Sequence, residues 1–204
     1  MSTRETDTNK PFHHGDLRHA LIEATAELIE RDGPAAVSLR EAARITGVSH
    51  NAPYRHFPTR EALLAAVAAH GFRQLRLAFE AAAAATPENR MLALGQGYLR
   101  FASAHPGLFR LMFGSGLDRQ SHPELERAAQ KAFGVLQRAA LDGGSPSPRD
   151  AALGAWALVH GLSHLIVDNQ LAQDLQEYAA SGRLLERIAE VYGLSTPGED
   201  GLVP

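Results

Sequence analysis

The chain contains no cysteine. That excludes a disulfide frame and a thiolate metal site, and it suits a reducing compartment. Lysine is nearly absent, with Lys10 and Lys131 the only two. Positive charge therefore rests on arginine, which can fork onto phosphate or guanine but is also favoured by GC-rich coding, so the excess selects no partner. Neither sign of charge dominates; the net charge is -3. No run approaches the roughly 20 apolar residues of a membrane span. The polar start, Ser2-Thr3-Arg4-Glu5-Thr6-Asp7, leads into no apolar signal core, so no membrane partner and a cytoplasmic address are expected. Paired carboxylates, a nucleophile beside a base and a glycine-rich phosphate loop are all missing, which argues against an enzyme. No alternating strand pattern and no internal repeat appears.

Helical periodicity is what the sequence does have, and it predicts an all-α chain of about nine helices. Residues 1 to about 14 read as a flexible arm. From Asp16, a candidate N-cap, Leu17, Leu21, Ala24, Leu28 and Ile29 recur at three- and four-residue steps. Gly33-Pro34 stops that helix. Ser38-Leu39-Arg40-Glu41 is a capping box for a short helix that ends at Thr46-Gly47-Val48. Ser49 offers another N-cap, and Thr59 the next, for a long helix to about Ala85. Counted from Ser49, Pro53 is the fourth helical residue, where its missing amide removes only the first intrahelical bond. Ser121 to Glu124 is a second capping box, and Asp142 to Pro148 reads as a linker. A long helix to about Gln170 and a last one over residues 182 to 192 follow.

Two short capped helices across a tight turn, Ser38 to Phe57, match a helix-turn-helix plan. Between Ser38 and Arg60 stand Arg40, Arg44, Arg55 and Arg60 against Glu41 alone, a net of +3. The stretch "ALIEATAELIERDGPAAVSLREAARITGVSHNAPYRHFPTREALLAAV" resembles the TetR (tetracycline-repressor-like) transcription regulators, a resemblance running from about His14 to Phe72. In the second half, Trp156, His160 and Gly161 of "WALVHGLSHL" resemble the TetR subgroup with a Trp, His, Gly signature in its ligand domain.

The resemblance implies a helix-turn-helix domain over residues 14–58 and a helical regulatory and dimerisation domain over 59–194, with 59–85 as the connecting helix. It implies a ligand-responsive regulator, most simply a repressor, that binds a palindromic operator in double-stranded DNA. His50 and Asn51 would face base edges, and asparagine can bind adenine through two bonds. Ser49 would cap that helix at the DNA. Tyr54 and His56 would meet phosphate, Arg55 a base or phosphate, and Phe57 would pack inward. Ser38 and Arg40 would also meet phosphate, as would Arg60, which stands where family members often have lysine. The two C-terminal helices, with small residues at Gly154, Ala157 and Gly161, would pair into a homodimer.

An unknown small-molecule effector would sit among Tyr98, Phe101, Phe109, Phe113 and Trp156, with Arg110, His160 and His164 as the polar groups that orient it. The same aromatics at helical spacing also suit a plain core. His160 and His164 are four apart on one helix, a spacing that can chelate, but no acidic or cysteine partner is read in register. No metal and no cofactor are therefore expected. The alternative reading is a helical-bundle enzyme or metal-binding protein whose N-terminal corner is only structural. A third is an architectural DNA-binding protein without a ligand pocket.

Overall fold

A computed structural model describes residues 14–114, 116–180 and 183–191 of the chain. The expected arm at 1–13, and residues 192–194 at the end of the second domain, lie outside the described residues. Among the described residues there are nine α-helices and no strand: α1 His14–Asp32, α2 Leu39–Ile45, α3 Arg60–Ala85, α4 Arg90–Ala104, α5 Pro106–Gly114, α6 Pro123–Asp142, α7 Pro148–Val167, α8 Gln173–Ala180 and α9 Arg183–Val191. The chain forms two compact units, Met1–Val67 and Ala68–Pro204, which divide inside α3.

In the first unit, α1 begins at His14, so Asp16 lies within its first turn and not at its cap. Gly33, at φ 79°, ends the helix by donating its amide to the Ile29 carbonyl at 2.9 Å, the left-handed cap that glycine adopts without steric cost. Ser38 caps α2 by accepting the Glu41 amide at 3.0 Å. The other half of the expected box does not form, because both Glu41 oxygens take the Arg44 guanidinium, at 2.6 and 2.8 Å. The end of α2 is a Schellman motif. Gly47, at φ 68°, donates to the Arg44 carbonyl, and Val48 donates to Ala43 at 3.0 Å. The core joins Leu21, Ile22, Ile29, Ala42, Phe57 and Leu63, all nearly free of solvent.

The helix expected from Ser49 does not form as an α-helix. Pro53–Arg55 is one turn of 3-10 helix, preceded by a turn at His50–Ala52. The reason is the absent Pro53 amide. An α-helix would need it to close on the Ser49 carbonyl. That carbonyl instead accepts the Ala52 amide, one residue sooner, at 2.9 Å, which is the tighter i→i+3 pattern. His56 and Phe57 both donate to the Pro53 carbonyl, at 3.0 and 2.9 Å. Helix α3 then starts where the sequence predicts, with Thr59 Oγ1 accepting the Ala62 amide at 3.1 Å.

In the second unit, α4 and α6 both pack along α7, and α9 joins α4. Buried aromatics concentrate here, with Phe79, Tyr98 and Phe109 essentially inaccessible. Helices α3 and α4 approach closely at Gly97, where a Cβ would lie 3.2 Å from the Ala78 carbonyl oxygen. Ser121 does not cap α6; its hydroxyl donates to Asp118, and the cap position is His122. Helix α8 is an element the apolar pattern does not announce. The total of nine arises because α8 replaces the missing Ser49 helix. Contrary to the expectation of no span-length run, α7 is long and apolar enough to cross a membrane by composition, with mean hydropathy 1.3. It packs one face against α4 and α6 and leaves another exposed.

Candidate functional site

The first unit presents a polar ridge. Pro53 and Phe57, four residues apart, point into the core, and the guanidinium carbon of Arg18 lies 5.4 Å from the centre of the Phe57 ring. With those two buried, Ser49, His50, Asn51, Tyr54 and Arg55 are exposed, and His56 is half-buried. Ser38 and Arg40 are exposed at the start of α2. The Ser38 oxygen accepts the Glu41 amide, which leaves its hydroxyl proton available to an outside acceptor.

The four arginines of the basic window are not equivalent. Arg44 is neutralised by Glu41. Arg60 turns back into its own unit, donating from Nε to the Val37 carbonyl at 2.8 Å and from Nη2 to the Pro34 carbonyl at 2.6 Å. Among the described residues, Arg40 and Arg55 have no carboxylate partner. Of the window's four arginines, those two offer an unengaged guanidinium to an anion.

The second unit holds a hydrogen-bonded cluster around Tyr98. Trp156 Nε1, which can only donate, lies 3.4 Å from the Tyr98 hydroxyl oxygen, and that hydroxyl lies 2.8 Å from His160 Nδ1. The consistent direction is Trp156 to Tyr98 to a neutral His160. Burial, helped by His164, holds the His160 imidazole below its ordinary value, which favours that neutral form. Burial also pushes the Tyr98 phenol upward, so it stays a proton donor. Phe109 is fully buried behind this cluster, its ring centroid 4.9 Å from that of His164.

A cavity of about 250 Å³ opens beside the cluster. Of the eight residues expected to surround an effector, it is lined by Tyr98, Phe113 and Trp156. Phe72 from α3 and Phe133 from α6 complete the ring wall, with Arg119 and Arg149 among the polar lining. Phe133 stands on the apolar face of α6 with Ala129, Ala132 and Leu136, a periodicity visible in the sequence. Phe101 faces elsewhere, into a groove between α3 and α4. His160 does not line the cavity but packs behind its wall, bonded to Tyr98 and with its ring 4.6 Å from Phe113 and 5.3 Å from Trp156 between centroids. Arg110 does not line this cavity. It forks onto Asp168 Oδ1, at 3.0 and 3.1 Å, and onto the Val167 carbonyl at 2.7 Å, where a cation suits the C-terminus of α7.

The expectation that no acid stands in register with His160 and His164 fails as well. Asp168 lies one turn on, with Oδ2 3.6 Å from His164 Nδ1. Even so, no group of three ligating side chains able to hold a metal ion forms among the described residues. A second cavity, of about 670 Å³ and bordered by Met91, Leu158, Val159 and Leu185, is lined by no charged side chain among the described residues.

Residues 21–67 match the family model for bacterial regulatory proteins of the tetR family, and residues 91–191 match that for a tetracyclin repressor-like C-terminal domain. The chain belongs to the TetR family. An HTH-type transcriptional repressor of Mycobacterium tuberculosis is 38% identical over 72 residues, which covers 34% of this TetR chain and 38% of that protein. The chain thus spans well under half the length of the curated regulators it matches. A solved protein of unknown function from Rhodococcus sp. RHA1 superposes with a TM-score of 0.71 at 31% identity, covering 85% of this chain and 96% of that one. A bacterial regulatory protein of the TetR family from Rhodococcus RHA1 shares the fold, with a TM-score of 0.60 at 20% identity over 84% of this chain and 95% of the other.

Proposed function

We propose that this TetR-family chain is a cytoplasmic, ligand-responsive transcriptional repressor that binds a palindromic operator as a homodimer and carries no enzymatic activity. The observation that carries the reading is the ridge from Ser49 to Arg55. Two buried residues, Pro53 and Phe57, set it so that His50, Asn51, Tyr54 and Arg55 all face solvent beside Arg40. His50 and Asn51 then serve as base readers, while Tyr54, Arg55, His56, Ser38 and Arg40 hold phosphate. Arg60 contributes by holding the ridge's supporting segment in place. The regulatory unit takes the effector in the aromatic cavity, whose walls include Phe72, Leu75 and Phe79 of α3. The ligand shifts a population between DNA-competent and DNA-incompetent states by its difference in affinity for them.

The dimer reading rests on α7. Gly154, Ala157, Gly161 and Leu165 are exposed at three- and four-residue steps along one face, and small residues let a partner helix approach closely. Val191 of α9 is 75% exposed. Binding of the full chain to the promoter beside its own gene tests the function. The double variant Tyr54→Ala, Arg55→Ala should abolish that binding, and undiminished affinity in it would sink the reading.

A further inference from the structure

We propose that the aromatic cavity takes a small aromatic monoanion, with its ring inside and its carboxylate at Arg149. This deepens, and rests on, the reading of the second unit as the effector domain. Size sets the first limit. At about 250 Å³ the cavity lies below the roughly 300–1,000 Å³ of drug-sized sites and suits a small guest. The walls set the second. Phe72, Phe113, Phe133 and Trp156 present ring faces and edges, with Phe113 and Phe133 about 6 Å from Trp156 between centroids. Such pairs favour an aromatic guest over an equal area of alkyl chain.

The polar groups set the direction. The hydroxyl in the wall, that of Tyr98, is already satisfied, accepting from Trp156 and donating to His160. A carboxylate, which can only accept, therefore gains nothing beside Tyr98, whose one proton goes to His160, and the ligand's apolar end belongs there. Charge lies elsewhere in the lining. Arg119 is balanced by Glu126 at 3.1 Å. Arg149 is exposed on the first turn of α7 and has no carboxylate partner among the described residues. Among the described residues, no aspartate or glutamate lines the cavity. A guanidinium without a counter-charge beside an apolar box fits a carboxylate, which it can hold through two parallel bonds. The larger cavity has no such cation and does not meet this requirement.

Trp156 is the single tryptophan, so its emission reports occupancy without DNA. The full chain is titrated with benzoate, phenylacetate, 3-phenylpropionate and cyclohexylacetate, each beside its primary amide. At least one aryl acid should give a saturable change, with affinity about tenfold or more above its amide and above the saturated-ring acid. Arg149→Gln should erase the acid–amide gap while leaving the helical circular dichroism intact. The proposal falls if no acid saturates below millimolar concentration, if an amide or cyclohexylacetate matches the best aryl acid, or if Arg149→Gln preserves the gap. Promoter binding measured on the same samples separates the two ideas. Promoter binding without any acid binding leaves the regulator reading standing and removes the ligand class. Acid binding without promoter binding does the reverse.

Discussion

Arg60→Gln separates two roles that the sequence cannot tell apart. In the fold its guanidinium ties the first residue of α3 to the carbonyls of Pro34 and Val37, at 2.6 and 2.8 Å. Hydrogen bonds from a charged donor contribute about 1.5–3 kcal/mol each when water is excluded. Arg60 is exposed, so water recovers much of that, above all at Pro34. Val37 is 3% exposed, and its carbonyl is the acceptor left poorly served. A net loss of about 1–2 kcal/mol follows. In a unit of this size that lowers the melting temperature by roughly 5–10 °C, read by helical circular dichroism. A phosphate role makes a different prediction. Losing one phosphate contact per protomer of a dimer reduces the slope of log affinity against log salt by about 1.8. A brace lowers melting and leaves that slope unchanged. Normal melting with a slope reduced by about 1.8 would refute the brace.

Tyr98→Phe removes the hydroxyl shared by Trp156 and His160 and should lower stability by about 1–3 kcal/mol, seen as a lower urea midpoint; an unchanged midpoint contradicts the hydrogen-bonded cluster. His160 makes stability depend on pH. Its folded pKa lies below the ordinary 6.5, so the unfolded chain binds more protons just beneath that value. Stability is therefore full above pH 6.5 and declines as the pH falls through it towards the folded pKa. His160→Gln should flatten that decline in pH-dependent unfolding, and an equally steep decline in the variant would reject the assignment. Gly161→Glu, on the exposed face of α7 where an added Cβ meets nothing within 4 Å, should yield a folded monomer by sedimentation; a persistent dimer would place the interface elsewhere.

What was legible in the sequence was local. Ser38 and Glu41 are three residues apart, so a cap between a side chain and a nearby amide can be read from residue types alone. Gly33 and Gly47 mark left-handed positions for the same reason. Pro53 was half legible. Its missing amide could be counted, but whether the chain keeps an α-turn or tightens to i→i+3 depends on Pro53 and Phe57 anchoring in the core. Longer-range features were opaque. Arg60 binds backbone carbonyls 23 and 26 residues away, and a carbonyl carries no residue-type signature. Arg110 and Asp168 are 58 residues apart. The aromatic box needs Phe72, Phe113, Phe133 and Trp156 from four different segments, and helical spacing says which face each occupies but not which faces meet. Helix α8 carries little sequence signal because its side chains described over residues 173–179 are mostly exposed, with Ala179 the one among them that is buried.

Partner geometry also changes what a charge count means. The window from Ser38 to Arg60 carries +3 on paper. In the fold, Glu41 cancels Arg44 and the carbonyls of Val37 and Pro34 occupy Arg60. Arg40 and Arg55 remain, two per protomer and four in a dimer. Neutralising four phosphates on B-DNA gives a salt slope near -3.6 from this window, against about -7 if all four arginines made contacts. Ser38 and Tyr54 can fix register on the backbone through neutral hydrogen bonds without releasing counterions. The weaker electrostatic term means that non-specific sites compete less strongly. In the proposed complex, discrimination then falls to the exposed tip, His50 and Asn51, which lies just before a proline that turns the chain one residue early.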